Sequence, residues 1–91
     1  MKYGLAFTNQ YLKDLQLARR RGINENLLNE ILLKLCNGEP LPKANKDHAL
    51  KGEYSDCREC HIQNDWLLIY SHQKQLKIIE LRRTGSHSDL F

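Results

Sequence analysis

Apolar positions at the start of the chain first alternate and then recur at helical spacing. Residues 2–7 alternate loosely between apolar and polar side chains, which predicts a short strand. The next segment predicts a helix, because its apolar residues lie three or four positions apart and share one face. Thr8 or Asn9 can cap this helix, and Gly22 is suited to end it. The apolar stripe comprises Tyr11, Leu12, Leu15 and Ala18.

A second amphipathic segment follows directly. Asn24 can cap a second helix, and Asn37-Gly38 can end it. The loop at residues 39–42 contains two prolines, each of which fixes φ and lacks a backbone donor. Residues 43–52 are polar and basic, and we expect them to form an irregular, exposed segment. The stripe of the second helix comprises Leu27, Leu28, Ile31, Leu32 and Leu35.

The rest of the chain predicts three strands joined by turns. We expect the strands at residues 54–62, 66–71 and 76–83, with turns at residues 63–65 and 72–75. The middle strand is almost wholly apolar and should therefore lie at the centre of a sheet that is covered on both faces. The order β-α-α-β-β-β predicts an α+β fold, in which two N-terminal helices pack on an antiparallel-rich sheet.

Length and composition limit the class of protein. A chain of 91 residues is expected to form one domain, residues 1–91, and its 41% of hydrophobic residues suffices for one core. No apolar run approaches the roughly 18 residues of a membrane-spanning helix. Residues 1–10 lack the apolar region of a signal peptide. We therefore expect a cytoplasmic protein whose cysteines are reduced thiols.

The formal net charge is +3, a mild basic bias that is compatible with an anionic partner. Part of this charge lies in Arg19, Arg20 and Arg21, in the last turn of the first predicted helix. There the three cations can offset the helix dipole on a solvated face, which is the interpretation we favour. The alternative is a patch that contacts phosphate.

Residues 57–61 have the spacing C-x-x-C-H, which is typical of c-type haem attachment and also resembles half of a zinc site or a redox dithiol. In the strand predicted here, however, Cys57 and Cys60 lie on opposite faces. They then cannot share a metal ion or close a disulfide, so we set these interpretations aside. His61 is expected to share its face with Glu59 and Cys57.

Three histidines lie in polar segments, and imidazole suits acid–base chemistry because its pKa lies near neutrality. Metal-free cleavage of RNA requires removal of the 2′-OH proton, protonation of the leaving 5′-oxygen and stabilisation of charge on the phosphorane. Arginine suits the third role, since its guanidinium can donate two hydrogen bonds to one phosphate. Spacing alone leaves open whether the candidates converge. They are His48, His61, His87, Asp65, Arg83 and Lys51.

Five segments of the chain match one protein family in register: residues 46–52, 58–62, 65–70, 83–87 and 90–91. In these segments the chain resembles the YafQ branch of the RelE/ParE superfamily of bacterial toxins. The predicted order of elements agrees as well, so the resemblance extends over nearly the whole chain. It implies a small, RelE-like, microbial-ribonuclease-like sheet with two N-terminal helices, and cleavage of mRNA on the translating ribosome.

The resemblance also implies partners and residue roles. The partners would be mRNA on the 70S ribosome and an acidic antitoxin, encoded beside the toxin, with a DNA-binding N-terminal half; no metal or cofactor is implied. Trp66 matches an aromatic residue of the family, although we expect it to be a core residue. Asn64 replaces a frequent proline, and Cys60 replaces a small residue. His48, His61, Asp65 and His87 match the catalytic set, Arg83 the phosphate-binding arginine and Phe91 the aromatic near the substrate base, and Lys51 is a further candidate for binding RNA.

The implied reaction is attack of the 2′-OH on the adjacent phosphate, giving a 2′,3′-cyclic phosphate and a free 5′-OH. His87 and Asp65 would transfer protons around the 2′-OH and the leaving group, while His48 and His61 would orient and protonate the phosphate. Two alternatives stay open. A gyrase-inhibiting ParE-like toxin would lack these histidines, and a non-catalytic module that binds RNA or the ribosome would not need His87.

Overall fold

The computed structural model describes residues 2–91, so Met1 of the predicted domain lies outside the described residues. The strands are β1 (Gly4–Phe7), β2 (His48–Ala49), β3 (Arg58–Gln63), β4 (Trp66–Gln73) and β5 (Ile78–Gly85). The helices are α1 (Asn9–Arg20), α2 (Glu25–Cys36) and α3 (His87–Leu90), with 3-10 turns at Lys43–Asn45 and Gly52–Tyr54. Within residues 2–91, no helix has the length and apolar character needed to cross a membrane.

Both N-terminal helices begin at predicted caps. The Thr8 hydroxyl accepts a hydrogen bond from the Tyr11 N–H at 3.0 Å, and the Asn24 side chain accepts one from the Asn26 N–H at 3.1 Å. Each bond satisfies a backbone donor that has no partner within its own helix. Gly22 turns the chain after α1 with a φ of 79°, a conformation that favours glycine.

The five strands form one sheet in the order β1-β5-β4-β3-β2. β1 runs parallel to β5, and the other neighbouring strands are antiparallel. β4 occupies the centre, and residues 66–71 are all buried, as expected for a strand that is covered on both faces. The predicted α+β fold with two N-terminal helices on an antiparallel-rich sheet is thus confirmed.

Two apolar clusters lie on opposite faces of the sheet. Helices α1 and α2 cover the larger cluster, which we call the helix-side core; α3 and the turn around Tyr54 cover the smaller, which we call the site-side cluster. The buried members of the helix-side core are Tyr11, Ala18, Leu28, Ile31, Leu35, Cys60, Ile62, Trp66, Leu68, Tyr70, Ile79 and Leu81. Those of the site-side cluster are Cys57, Leu67, Ile69 and Leu90.

The strand predicted at residues 54–62 was given a start that is too early. Gly52 has a φ of 67° and opens a 3-10 turn, so the strand begins only at Arg58 instead of at residue 54. The preceding segment is also more ordered than expected. His48 and Ala49, predicted to be irregular, pair with β3 as the short edge strand β2.

The turn between β4 and β5 lies at residues 74–77 instead of the predicted residues 72–75. Leu76, whose apolar side chain suggested a strand, is 68% exposed. Lys77 has a φ of 55°, a left-handed conformation typical of turns. β5 therefore begins at Ile78, later than predicted, and continues to Gly85 at the edge of the site.

Helix α3 follows β5 and was not predicted. The Ser86 hydroxyl accepts a hydrogen bond from the Asp89 N–H at 3.2 Å, and the Asp89 carboxylate accepts one from the Ser86 N–H at 2.9 Å. This reciprocal capping box fixes the start of the helix. Gly85 allows the close approach, because a Cβ there would lie 3.0 Å from the Cβ of Asp89.

Beyond the end of β1, helix α1 and its cap Thr8 form hydrogen bonds with the edge of β5. The Thr8 N–H donates to the Leu81 carbonyl at 3.1 Å, and the Thr8 hydroxyl donates to the Arg82 carbonyl at 2.9 Å. Further along, the Asp14 carboxylate accepts a hydrogen bond from the Thr84 N–H at 3.2 Å. These bonds satisfy backbone groups that β1 cannot reach and hold α1 beside the strand that leads to α3.

Candidate active site

The four predicted catalytic side chains come from four different elements and meet on one side of the sheet. His48 lies in β2, His61 in β3, Asp65 in the turn between β3 and β4, and His87 opens α3. His61 faces away from α1 and α2, because its neighbour Cys60 belongs to the helix-side core. His48, Asp65 and His87 are exposed, while His61 is half-buried.

His87 and Asp65 form the closest pair of the site. The Nδ1 atom of His87 lies 2.6 Å from Oδ1 of Asp65, and the His87 backbone N–H donates to the same oxygen at 3.0 Å. The backbone hydrogen bond, followed by the imidazole contact, holds the pKa of the Asp65 carboxyl below its usual range. When the proton sits on Nδ1, the carboxylate fixes the ring, and Nε2 is the nitrogen available to a substrate.

Glu59 is a buried carboxylate in the middle of the site, and the sequence analysis gave it no functional role. It is 4% exposed, and Oε1 lies 3.4 Å from Nε2 of His48, whereas the buried Oε2 has no hydrogen-bond partner within residues 2–91. The rings of His61 and His87 lie beside it, with centroids 5.8 Å apart. A buried carboxylate without a full set of partners is costly, which makes Glu59 a candidate for a functional role.

Contacts with backbone carbonyl groups hold the segments that carry His48 and His61. Lys46 adopts a left-handed φ of 49°, and its carbonyl lies 2.6 Å from Nδ1 of His48. The Asn45 side-chain amide donates to the His61 carbonyl at 2.8 Å and so ties the preceding loop to β3. The loop expected to be irregular thus positions both histidines.

Three side chains of the site could hold a metal ion. Glu59, His61 and His87 each offer one ligand atom, and these atoms lie within 4.8 Å of one another. Zinc and copper accept imidazole nitrogen and carboxylate oxygen as ligands. A bound ion would take up the lone pairs that acid–base chemistry needs, so the two uses of this site compete.

Arg83 is already engaged by a carboxylate. Its Nε lies 2.7 Å and its NH2 group 3.1 Å from the two oxygens of Asp14, which lies on α1. This hydrogen-bonded pair raises the pKa of Arg83, and contact with Tyr54 contributes. The side chain is 23% exposed, so a phosphate that approached it would meet a preorganised guanidinium.

The remaining RNA-binding candidates lie at the rim. Phe91 is 65% exposed, and its ring meets Tyr54 edge-on at 6.2 Å and His87 at 6.5 Å between centroids. Lys51 is exposed beside the 3-10 turn that carries Tyr54. Trp66 instead is a core residue as predicted, 7% exposed, with its indole N–H donating to the Thr84 hydroxyl at 2.9 Å.

An ion pair anchors α3, which carries His87. Arg21 donates to the two Asp89 oxygens at 2.6 and 3.3 Å, and this contact holds the pKa of Asp89 well below its usual range. Arg19, from the same basic run, pairs with Glu25 at 2.8 Å. Arg19 and Arg20 lie exposed in the last turn of α1, as the favoured interpretation expected, and the ion pairs of Arg19 and Arg21 are an additional use that was not predicted.

The C-x-x-C-H segment has the geometry expected of two thiols on opposite faces. Cys57 belongs to the site-side cluster and Cys60 to the helix-side core. Burial raises the pKa of Cys57 to about 11 and that of Cys60 to about 12, so both are neutral thiols near neutral pH. They cannot bind one metal ion together or bond to each other in this fold.

The fold and the histidine-rich face together define a small α+β protein of the RelE type, as the sequence resemblance implied. Residues 3–91 match a protein family described as the bacterial toxin of type II toxin–antitoxin systems, YafQ. The chain is 38% identical over 88 residues to the mRNA interferase toxin YafQ of Escherichia coli K12, covering 96% of this chain and 94% of that protein. The chain therefore belongs to the YafQ family of bacterial toxins.

Solved structures agree with this assignment. A metal-bound toxin from Helicobacter pylori has a TM-score of 0.91 and 38% identity, covering 98% of this chain and 99% of that one. YafQ in the E. coli DinJ–YafQ complex has a TM-score of 0.88 and 34% identity, covering 98% of each chain.

Proposed function

We propose that this chain is an mRNA interferase, an endoribonuclease toxin that cuts mRNA on the ribosome in the cytoplasm. The observation that carries the proposal is the convergence of His48, His61, Asp65 and His87, from four elements, on one exposed face. The E. coli relatives of the chain are named mRNA interferase toxins, which supports the same activity.

The cleavage step proceeds by transfer of the phosphate to the neighbouring ribose. The 2′-oxygen bonds to phosphorus, the bond from phosphorus to the 5′-oxygen breaks, and the products are a 2′,3′-cyclic phosphate and a 5′-OH. His87, oriented by Asp65, exchanges protons with the 2′-OH or the leaving oxygen through Nε2. His48 and His61 orient and protonate the phosphate, and Arg83 stabilises the charge that develops on it.

Glu59 adds a positioning role to this scheme. Its buried carboxylate lies beside His48, His61 and His87, where it can accept a hydrogen bond from an imidazole and hold that ring in position during the reaction. A purely RNA-binding module would have no use for a buried carboxylate, since it repels phosphate. Glu59 and the Asp65–His87 pair therefore favour the catalytic function over the non-catalytic alternative.

The partner that restrains the activity is a cognate antitoxin, encoded beside the toxin and acidic in the segment that binds it. The structure of E. coli YafQ in complex with DinJ supports a partner of this kind. The net charge of +3 on this chain favours an acidic complement and a salt-dependent association.

The function is tested by His87→Gln, with His72→Gln as the matched control. His72 lies on β4 and contacts the Tyr3 ring, away from the candidate site. Primer extension on ribosome-bound mRNA should show cleavage reduced about 10²–10⁴-fold by His87→Gln, with ribosome pelleting unchanged. The His72→Gln variant should cut like the parent chain. Undiminished cleavage by His87→Gln would remove His87 from the mechanism, and growth arrest without any cleavage would support the binding module.

A further inference from the structure

A polar network on the helix side of the sheet ends beside His48. The Tyr70 hydroxyl donates to Oδ1 of Asp47 at 2.7 Å, and Nε of Arg58 donates to the same oxygen at 3.1 Å. Tyr70 and Arg58 lie directly opposite each other on β4 and β3. Within residues 2–91 no other side chain donates a hydrogen bond to Asp47. Two strands of the sheet therefore hold this carboxylate at the point where the chain enters β2.

The phenol is the stronger of the two restraints on Asp47. Tyr70 is 1% exposed and packs in the helix-side core, so its ring has little freedom to move. Burial, followed by the hydrogen bond to Asp47, raises the pKa of Tyr70, which keeps the hydroxyl protonated as a donor. The Arg58 side chain is 41% exposed, and ion pairs that reach solvent contribute little. The position of Asp47 therefore depends mainly on Tyr70.

The residue before Asp47 contacts the His48 ring. Nδ1 of His48 lies 2.6 Å from the carbonyl oxygen of Lys46. A carbonyl oxygen can only accept a hydrogen bond, so the ring carries a proton on Nδ1 and turns Nε2 towards Glu59 and the candidate site. Lys46 has a left-handed φ of 49°, a costly conformation that persists only where surrounding contacts hold it. The anchored carboxylate of Asp47 is such a contact.

The network and the His48 ring lie on opposite faces of the sheet. His48 pairs with Glu59 and Ala49 pairs with Arg58, so successive residues of β2 alternate between the candidate site and the helix side. Asp47 precedes His48 and points, like Ala49, to the helix side, where its hydrogen-bond donors lie. A displacement of Asp47 on one face therefore moves the backbone that carries His48 on the other.

We propose that Tyr70 and Arg58 are positioning residues for the cleavage reaction: through Asp47 they fix the Lys46 carbonyl, and with it the orientation and the tautomer of His48. Both donors lie on the face opposite the candidate site, so they act without contacting the RNA. The inference rests on the proposed function, because His48 orients the phosphate in that reaction. A group displaced by about 1 Å can lose up to about 10²-fold in rate. Loss of the network should therefore slow cleavage without preventing binding.

The test compares the loss of one hydroxyl at two buried tyrosines. Tyr70→Phe removes the donor to Asp47 and keeps the ring. Tyr11→Phe is the matched control, since Tyr11 is 2% exposed, belongs to the same core and is not among the donors to Asp47. Asp47→Ala removes the acceptor, whereas Asp47→Asn keeps an oxygen that can accept both hydrogen bonds. Each variant is measured at a temperature where its melting curve shows it to be folded.

Single-turnover cleavage of ribosome-bound mRNA separates positioning from binding. We expect Tyr70→Phe and Asp47→Ala each to lower the rate at saturating toxin by about tenfold, with the toxin concentration at half-saturation unchanged. Asp47→Asn should restore much of the rate, and Tyr11→Phe should cut like the parent chain. The double variant of Tyr70→Phe and Asp47→Ala should be no slower than Asp47→Ala alone, because both changes break the same contact. An undiminished rate in Tyr70→Phe, an equal loss in Tyr11→Phe or additive losses in the double variant would overturn the inference.

A second measurement does not depend on cleavage. Long-range proton–nitrogen NMR of the histidine rings shows which nitrogen carries the proton, and the spectrum of His48→Gln identifies the His48 signals. In the parent chain and in Tyr11→Phe, His48 should carry a proton on Nδ1, and this preference should weaken in Tyr70→Phe and Asp47→Ala. His48 signals that stay unchanged in both variants would overturn the inference. A parent chain that shows the expected signals and their loss but does not cut mRNA would confirm the contact and refute the proposed function instead.

Discussion

The two faces of the sheet use the same strands for different purposes. On the helix-side core, twelve buried apolar or aromatic residues pack under α1 and α2. On the other face, four buried residues form the site-side cluster, next to the buried carboxylate of Glu59 and the exposed pair Asp65–His87. Most of the buried apolar side chains lie on the first face, whereas the second face buries the Glu59 carboxylate, which is unfavourable, beside the residues that we propose to be catalytic.

The sharpest test of this contrast uses two neighbours on β4. Leu67 and Leu68 are both fully buried but belong to opposite clusters. Leu68→Ala and Leu67→Ala should each lower the free energy of unfolding by about 2–5 kcal/mol. At a temperature where both variants are folded, only Leu67→Ala should also cut mRNA more slowly. Leu67 packs in the same cluster as Leu90 of α3, the helix that carries His87. Urea denaturation and primer extension measure the two effects; equal cleavage by both variants would contradict the division.

Glu59→Gln should separate stability from activity. The amide has the shape of the carboxylate without its charge, so we expect cleavage to fall about 10²-fold while the free energy of unfolding rises by roughly 1 kcal/mol. Glu30→Gln, on the exposed part of α2, is the control and should change neither quantity. A Glu59→Gln variant that unfolds more easily and still cuts mRNA would make Glu59 a purely structural residue.

The Arg21–Asp89 pair connects the helix-side layer to the site. Loss of Arg21 frees α3 to move, and a displacement of His87 by about 1 Å can reduce the rate by up to about 10²-fold. We expect Arg21→Ala to reduce cleavage by about tenfold or more and Arg21→Lys to restore much of it. The melting temperature should change little, since exposed ion pairs contribute little stability. Cleavage that is equally low in both variants would argue against a positioning role for the ion pair.

The smallest effect concerns acid stability. Contact with Arg21 lowers the pKa of Asp89 in the folded chain, so its stabilising contribution is complete above the unfolded pKa of about 3.9 and is lost as the pH falls through the folded value. Asp89→Asn should therefore melt below the parent chain at neutral pH, and the difference should shrink at pH values below about 4. Melting curves over a pH series measure this, and a difference that stays constant would refute it.

Local patterns in the sequence were enough to predict the helix caps at Thr8 and Asn24, the burial of strand β4 and the placement of Cys57 and Cys60 on opposite faces. Helix α3 was missed, although Ser86 and Asp89 have the spacing of a capping box. A four-residue helix has no apolar periodicity, so that spacing was its only local signal.

The features that local sequence patterns could not predict are contacts between distant parts of the chain. The Arg83–Asp14 pair joins residues 69 positions apart, and the Arg21–Asp89 pair joins residues 68 positions apart. Glu59 was correctly placed on the face of His61, but its burial depends on packing that no local pattern records. The convergence of the histidines is of the same kind, which is why resemblance to a family identified them where spacing did not.

The central claim is that side chains alone perform the cleavage, and it is tested by metal removal. The purified toxin is stripped with a chelator and added to intact ribosomes that carry mRNA in their normal magnesium buffer. We expect full cleavage, with 2′,3′-cyclic phosphate and 5′-OH ends at each cut. Added zinc should inhibit, because it would occupy Glu59, His61 and His87. Cleavage that is lost on stripping and returns only when zinc is added would contradict the metal-free mechanism.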